Sequence, residues 1–184
     1  ALIRGSGVSL AFCSMRPEPE GVPVVTFAAR LLEDKGVREF VEAARVLMRR
    51  GVTAQFWLVG SLDPDNLTSV SEDVLSQWSK EGVVEVLGHQ SDIPNIFANS
   101  NIVVLPSYRE GLPKALVEAA ACGRAVVTTD VPGCRDAIEP ETTGLLVPVR
   151  DPSGLADAIQ FLIENPERRK QMGSSGRGLA EREF

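Results

Sequence analysis

The stretch PSYREGLPKALVEAAACG, residues 106–123, organises the expected fold of the rest of the chain. It follows an apolar run, Ile102 to Leu105, and opens with a proline. Because proline is favoured at the first helical position and glycine just after the last, we expect a helix that begins at Pro113 and is closed by Gly123. The pattern therefore predicts a buried strand, a loop and a helix in succession.

Two carboxylates flank the start of this helix. Glu110 lies in the loop before it, and Glu118 lies about a turn and a half inside it. Carboxylates accept hydrogen bonds from sugar hydroxyls, and free backbone N–H groups at residues 111 to 115 can hold anionic oxygens at the positive end of the helix dipole. The combination predicts a ligand with both hydroxyls and phosphates, such as a nucleotide-sugar.

Short β-branched runs alternate with helical patterns along the chain. The strand runs are apolar throughout, which is typical of a parallel sheet covered on both faces. We therefore predict an α/β fold with a Rossmann-like, doubly wound parallel sheet of about six strands. The predicted strands are 24–27, 55–59, 83–87, 102–105, 125–129 and 145–147, and the other predicted helices are 36–50, 66–81, 92–98, 151–164 and one that opens at 165–166.

Polar residues and glycines collect at the carboxyl ends of the predicted strands, where open parallel sheets bind their ligands. Arg30 and Lys35 follow the first strand. They are a candidate clamp for a diphosphate, because a guanidinium binds phosphate oxygens bidentately and an ammonium adds a mobile point charge. A solvated pair of loop charges is the alternative. The other residues at this edge are Gly60, Ser61, Gly88, His89, Glu110 and 130–133.

Composition narrows the function. The chain has 184 residues, 43% of them hydrophobic, which suffices for one globular domain. A net charge of −6 argues against nucleic-acid binding and against a polybasic grip on a membrane. No apolar run approaches the roughly 20 residues that span a bilayer, and no signal peptide is recognisable. Cys13, Cys122 and Cys134 lack metal-ligand spacing, so we expect reduced thiols in a cytoplasmic protein, with no disulfide and no metal site.

The ordered motifs resemble those of a known family. Glu110 and Glu118 form an E-x7-E signature, and three further stretches accompany it: 29–36 (ARLLEDKG), 131–133 (VPG) and 143–147 (TGLLV). This set is similar to that of retaining glycosyltransferases of the group 1 or GT4-like family, which have the two-domain GT-B fold. The resemblance covers nearly the whole chain and implies the C-terminal, donor-binding half of a GT-B fold.

A domain organisation follows from the resemblance. Residues 1–23 are expected to be a linker, 24–172 the nucleotide-sugar-binding Rossmann-like domain, and 173–184 a tail or the start of a helix that crosses back to the other domain. Within the linker, 4–9 (RGSGVS) resembles the segment that leads into the donor domain, although family members often carry Asp where Ser9 stands. The N-terminal acceptor-binding domain is then expected outside this chain, which would be inactive without it.

The resemblance also implies roles for individual residues. Arg30 and Lys35 hold the donor's diphosphate and stabilise it as the leaving group, with no metal ion or other cofactor. Glu110 contacts the donor sugar near the reacting carbon, and Glu118 binds the ribose hydroxyls. The backbone is expected to meet the base, phosphates or sugar at the remaining donor-binding positions, which are Gly60, Gly88, His89, Gly111, Leu112, Pro113 and Lys114.

Structural explanations stay open for several of these residues. Glu110 could serve only as a charge partner for the helix N-terminus, and Glu118 could be a surface residue, although its apolar neighbours demand a partner for its charge. His89 is better explained as a surface loop residue than as a general base. Gly60 could admit a closely approaching ligand or simply make a tight turn, and Pro113 has no N–H to donate.

The implied function is transfer of a glycosyl group from a nucleotide diphosphate sugar to an acceptor hydroxyl, with retention at the anomeric carbon. The products expected from the family are cell-surface polysaccharides or glycoconjugates, which is compatible with peripheral association of the full enzyme with the inner face of the membrane. A nucleotide-sugar epimerase of the same fold and a non-catalytic nucleotide-sugar-binding module would use the same donor site. The residues leave both alternatives open.

Overall fold

The computed structural model describes residues 7–184 and shows, within them, a six-stranded parallel sheet flanked by helices. The strands are β1 (Val24–Ala28), β2 (Gln55–Val59), β3 (Glu85–Gly88), β4 (Ile102–Leu105), β5 (Ala125–Thr129) and β6 (Gly144–Val147). The helices are α1 (Val37–Arg49), α2 (Glu72–Glu81), α3 (Ile93–Ala98), α4 (Lys114–Ala121), α5 (Pro132–Asp136), α6 (Pro152–Glu164) and α7 (Pro166–Glu183), with a 3-10 turn at Glu33–Lys35. The predicted Rossmann-like α/β fold is confirmed.

The central strands expose neither face to water. Every residue of β1, β4 and β5 is buried, as expected from their uninterrupted apolar runs. Val25 of β1 lies opposite Phe56 of β2 on one side and Ile102 of β4 on the other. The rings of Phe27, Phe40 and Phe56 pack in a row, with centroids 5.6 and 6.1 Å apart. This aromatic row joins α1 to the sheet.

The direction in which the sheet grows reverses between β1 and β4, because the strand order is β3-β2-β1-β4-β5-β6. Loops that leave the carboxyl ends of two such strands diverge and open a crevice, which is where doubly wound sheets bind ligands. The loops after β1 and β4 carry the predicted cations and the first predicted carboxylate. The topology therefore brings to one crevice residues that are about 75 positions apart in the chain.

Local sequence signals account for several helix ends. Side-chain oxygens of Ser71, Asp92 and Asp151 accept hydrogen bonds from N–H groups in the first turns of α2, α3 and α6. Gly51 and Gly123 follow α1 and α4 with positive φ, a conformation that costs glycine nothing sterically. α1 packs against α6, and α4 packs against α7. These ends were predictable because each capping interaction spans only a few residues.

Some boundaries differ from the predictions. α2 begins at Glu72 and not at 66, because residues 66–70 form turns that hydrogen-bond to the loop after β1. A tertiary contact thus replaces the first turn of the predicted helix. The other differences are small: α4 begins at Lys114 with Pro113 as its N-cap, β3 spans Glu85–Gly88, and the loop after β5 contains the short helix α5.

The predicted linker, 1–23, is only partly described. Residues 1–6 lie outside the described residues, and with them the first half of the 4–9 segment. The remainder packs on the domain, since Glu18 forms an ion pair with Arg169 of α7 at 2.8 Å in which both side chains are 7% exposed. Part of this segment is therefore packed against the sheet domain.

The predicted tail, 173–184, is helical. α7 continues through the predicted boundary at 172 without a break and buries Leu179 and Ala180. Arg177 of α7 donates hydrogen bonds of 2.7 Å to the carbonyl oxygens of Cys13 and Ala121. The last helix thereby joins the segment before β1 to the end of α4.

Candidate functional site

A cavity of about 290 Å³ lies at the carboxyl edge of the sheet, between the ends of β1, β2 and β3 and the start of α4. Four predicted site residues line it: Arg30, Gly60, His89 and Glu118. Gln90 and Ile93 line it as well and were not predicted. Nothing in the type of either residue signals a site, so only their position identifies them.

Arg30 is paired with a carboxylate that the sequence analysis did not identify. Its Nη1 atom lies 2.6 Å from Asp63 Oδ2, and the Arg30 side chain is 58% exposed. Asp63 belongs to the loop after β2, which is joined to the loop after β1 by a hydrogen bond from Leu31 N to Ser61 O. Exposed ion pairs contribute about 0–1 kcal/mol to stability. An incoming phosphate can therefore replace Asp63 as the partner of the guanidinium at a small cost in free energy.

Lys35 and Glu110, two of the predicted catalytic residues, form an ion pair. Lys35 Nζ lies 2.6 Å from Glu110 Oε1, and the two side chains are 23% and 10% exposed. Lys35 ends the 3-10 turn after β1, while Glu110 lies in the loop after β4. The crevice between β1 and β4 therefore brings together a cation and an anion that the sequence placed in separate loops.

Glu118 has a partner for its charge, as its apolar neighbours required. Lys114 Nζ lies 3.2 Å from Glu118 Oε1, one turn earlier on α4, and the Lys114 side chain is 68% exposed. Residues four positions apart are neighbours on the surface of a helix, so this contact is a local one. Glu118 thus faces the cavity on one side and an exposed lysine on the other. The first N–H groups of α4, which lack intrahelical acceptors, lie between Glu110 and Glu118.

The structure explains the glycine that follows β2. Gly60 has a φ of 149°, and a Cβ at this position would overlap the carbonyl oxygen of Ala29. Its N–H donates a hydrogen bond of 2.9 Å to Gly88 O. Gly60 is therefore required by packing against the loop after β1, whether or not a ligand approaches it. His89 follows Gly88 and is exposed at the cavity rim.

Residues 111–113 contribute mainly packing to the described structure. Pro113 is buried, Leu112 packs against the core, and Gly111 is exposed. A Cβ on Gly133, at the start of α5, would overlap the carbonyl oxygen of Gly111. The loop that carries Glu110 is therefore held from the β5 side, and the predicted contacts of its N–H groups with the donor stay predictions.

Two other features do not belong to the site. A cavity of about 730 Å³ lies at the opposite edge of the sheet, but buried Arg124 there donates to the carbonyl oxygens of Arg16 and Phe97, and Arg169 is occupied by Glu18. Burial raises the pKa of the Cys122 thiol to about 12, which removes its thiolate as a nucleophile near neutral pH. The arginines at this cavity and the Cys122 thiol therefore have structural roles in the folded domain.

The loop between β4 and α4 also carries the chain's single tyrosine, Tyr108. Its hydroxyl donates a hydrogen bond of 2.5 Å to Glu39 of α1, and the Arg150 guanidinium lies over the ring at 4.6 Å. Burial, and then the bond to Glu39, raise the pKa of Tyr108 to about 12 from an ordinary value of about 10. The neutral phenol therefore helps to join this loop to α1.

We expect the free energy of unfolding to fall between about pH 10 and about pH 12 because of Tyr108. The folded state retains the phenolic proton that the unfolded state releases above its ordinary pKa, so this contribution is complete below about pH 10 and is lost as the pH rises through the folded pKa. Urea unfolding at stepped pH should show a shallower decline for Tyr108→Phe. Equal slopes for both proteins would contradict the prediction.

Comparison with known proteins shows that the sequence matches a protein family. The model for "Glycosyl transferases group 1" matches residues 15–179. A curated relative from Campylobacter jejuni, N,N'-diacetylbacillosaminyl-diphospho-undecaprenol alpha-1,3-N-acetylgalactosaminyltransferase, is 38% identical over 153 residues, which are 83% of this chain and 39% of that protein. The capsular polysaccharide biosynthesis glycosyltransferase CapM of Staphylococcus aureus is 29% identical over 161 residues, 88% of this chain and 42% of the relative. The chain thus spans about two fifths of the length of these relatives.

Solved structures share the fold. Anabaena Alr3699/HepE in complex with UDP and glucose has a TM-score of 0.82 and 22% identity, over 97% of this chain and 51% of that one. The C-terminal domain of a group 1 glycosyl transferase, LpcC from Francisella tularensis, has a TM-score of 0.74 and 23% identity, over 88% of this chain and 87% of that domain.

No helix among residues 7–184 is both long and apolar enough to cross a membrane. The family match over residues 15–179, together with the sheet and its strand order, shows that this chain belongs to the group 1 glycosyl transferase family.

Proposed function

We propose that this chain is the donor-binding domain of a retaining glycosyltransferase that moves a sugar from a nucleotide diphosphate sugar to an acceptor hydroxyl. The observation that carries the proposal is the placement of two cations and two carboxylates at the carboxyl edge of the sheet, one pair in contact and the other pair in the lining of one cavity. Lys35 Nζ lies 2.6 Å from Glu110 Oε1, and Arg30 and Glu118 line one cavity. Such a group matches a ligand with both anionic phosphates and hydroxyls.

The donor is proposed to lie along the carboxyl edge of the sheet. Glu118, inside the cavity, accepts hydrogen bonds from the ribose hydroxyls, and the base lies toward the rim at Gly88 and His89. The diphosphate then reaches the start of α4, where N–H groups and the dipole favour anions, with Arg30 and Lys35 on either side. The sugar lies beyond it, against Glu110.

Catalysis by this arrangement is electrostatic. As the bond to the anomeric carbon breaks, negative charge grows on the leaving diphosphate, and donors already in position stabilise it without reorganisation. Arg30 and Lys35 supply two positive charges for this purpose, so the proposal includes no metal ion or other cofactor. Glu110 is placed to contact the sugar, and we assign it no nucleophilic step.

The acceptor is proposed to bind an N-terminal domain outside this chain, and closure of the two domains would exclude water from the donor. The chain's share of its relatives, about two fifths of their length, supports this arrangement. Relatives named for capsular polysaccharide biosynthesis and for transfer to a diphospho-undecaprenol-linked sugar support a role in cell-surface glycan synthesis. We place the reaction in the cytoplasm, at the inner face of the membrane.

The experiment has two stages, both on the full-length protein. Calorimetric titration with UDP, GDP and their sugars comes first, with UDP as the leading candidate because a structure of the same fold carries it. We expect one nucleoside diphosphate to bind. Incubation with the matching radiolabelled donor and a lipid-linked acceptor should then transfer label with retained configuration. Binding without transfer would favour the non-catalytic module, and conversion of the donor sugar without an acceptor would favour the epimerase.

A further inference from the structure

A buried serine lies between the two loops that meet in the site. Ser107 follows β4 by two residues and is fully buried. Its Oγ atom lies 3.0 Å from Asp34 O and 3.2 Å from Arg109 O, so its hydroxyl can donate to either carbonyl. The Ser107 carbonyl in turn accepts a hydrogen bond from Thr129 Oγ1 on β5. Ser107 thus contacts the loop after β1, its own loop and β5.

The two carbonyl groups that Ser107 contacts belong to the neighbours of two candidate site residues. Asp34 immediately precedes Lys35, and Arg109 immediately precedes Glu110. Tyr108 N also donates to Asp34 O, at 2.9 Å. A Cβ on Gly36, the residue after Lys35, would overlap the carbonyl oxygen of Pro106. The backbones on both sides of Lys35 therefore contact the segment that leads to Glu110.

We propose that Ser107 is a positioning residue that sets the ammonium of Lys35 against Glu110 and the donor's diphosphate. The proposal rests on the proposed function. A lysine side chain has four rotatable bonds and cannot by itself fix the place of its ammonium, so the 2.6 Å pair with Glu110 depends on the spacing of the two backbones. The Ser107 hydroxyl sets that spacing from a position where it touches neither donor nor acceptor.

The alternative is that Ser107 only satisfies buried carbonyl groups, which any well-placed hydroxyl does. β4 offers a matched control for this alternative. Ser100 precedes the strand as Ser107 follows it, is equally buried, and hydrogen-bonds to Thr26 Oγ1 at 2.6 Å and to Ile96 O at 2.8 Å. It lies at the opposite edge of the sheet from the site. A purely structural role predicts the same consequences for Ser100→Ala and Ser107→Ala.

The test compares nucleotides with one and two phosphates on the full-length enzyme. Affinities for UMP and UDP, or for GMP and GDP if the donor titrations favour guanosine, are measured by calorimetry for the unmodified protein and both variants. We expect Ser107→Ala to lower the diphosphate-to-monophosphate affinity ratio about tenfold, the loss of one charged hydrogen bond, with the monophosphate affinity retained. Ser100→Ala should keep the ratio of the unmodified protein. Both variants should unfold at a lower temperature.

The outcomes separate this inference from the proposed function. If the unmodified enzyme binds neither diphosphate, the proposed function falls and the role of Ser107 falls with it. If the unmodified enzyme discriminates between the two nucleotides and Ser107→Ala keeps the same ratio as Ser100→Ala, only the positioning role is overturned. Should Ser107→Ala fail to fold, Ser107→Cys is measured in its place. This variant replaces the hydroxyl with a weak donor of similar size, and it should also lower the diphosphate-to-monophosphate affinity ratio.

Discussion

Replacing Lys35 with alanine is expected to lower the rate of glycosyl transfer by about 10²- to 10³-fold, the range measured for removal of one donor that stabilises transition-state charge. Lys35 is mostly buried and 2.6 Å from Glu110, so its charge acts where water screens it least. Arg30 is 58% exposed and is paired with Asp63, so Arg30→Ala should cost less. Steady-state transfer assays with the full-length enzyme measure both effects.

The stability cost of Lys35→Ala must be separated from the catalytic one. The variant leaves Glu110, which is 10% exposed, without its cation, and an unsatisfied buried group costs about 1–3 kcal/mol or more. Assays therefore belong well below the unfolding temperature of the variant. Lys170→Ala is the control, since Lys170 is exposed on α7 and pairs with exposed Glu167. Equal transfer rates for the two variants would remove Lys35 from the mechanism.

Replacing Glu18 with alanine is expected to lower the free energy of unfolding by about 3–5 kcal/mol, because removal of one partner of a buried ion pair leaves the other charge buried and unpaired. Arg169 donates to Glu18 through Nε and Nη2 and is 5% exposed. Asn101 Nδ2 also lies 3.4 Å from Glu18, and its Oδ1 atom accepts from Val24 N at the start of β1. Loss of Glu18 therefore disturbs the beginning of the central strand as well as α7.

Urea unfolding of the variant and of Glu20→Ala tests this prediction. Glu20 is two residues away in the same segment and is exposed, so its replacement should change stability by no more than about 0.5 kcal/mol. A loss below about 1 kcal/mol for Glu18→Ala would show that the pair behaves as a surface ion pair. Because Glu18 is at the opposite edge of the sheet from the site, transfer by the folded variant should be unchanged.

Local signals carried most of the fold prediction. The runs 55–59, 102–105 and 125–129 are strands over the predicted residues, because short, mainly apolar runs between helical patterns are typical of the strands of a covered parallel sheet. Asp92 and Asp151 cap the helices that were predicted to begin at those residues. The helix predicted over 66–81 loses its first turn because the loop after β1 hydrogen-bonds to residues 66–70. Helix propensity does not include such tertiary contacts.

The sequence suggested candidate site residues, but it did not indicate the contacts that they make. The E-x7-E spacing identified Glu110 and Glu118, and the strand ends identified Arg30 and Lys35. The same reasoning gave no indication of Asp63 beside Arg30 or of Ser107 between the two loops. Aspartate and serine are common in loops for reasons of turn geometry, so their presence there carries no information about a site.

By itself, the sequence determined the alternation of strands and helices, the helix caps and the family motifs, because each of these depends on residues that are close together in the chain. Only the tertiary structure decided which charges meet: Lys35 with Glu110, Arg30 with Asp63, and Glu18 with Arg169 across 151 residues. The physical reason is that a chain with 19 basic and 25 acidic side chains allows many pairings. The packing of β1 between β2 and β4, and of α7 against the segment before β1, selects these pairs from among them.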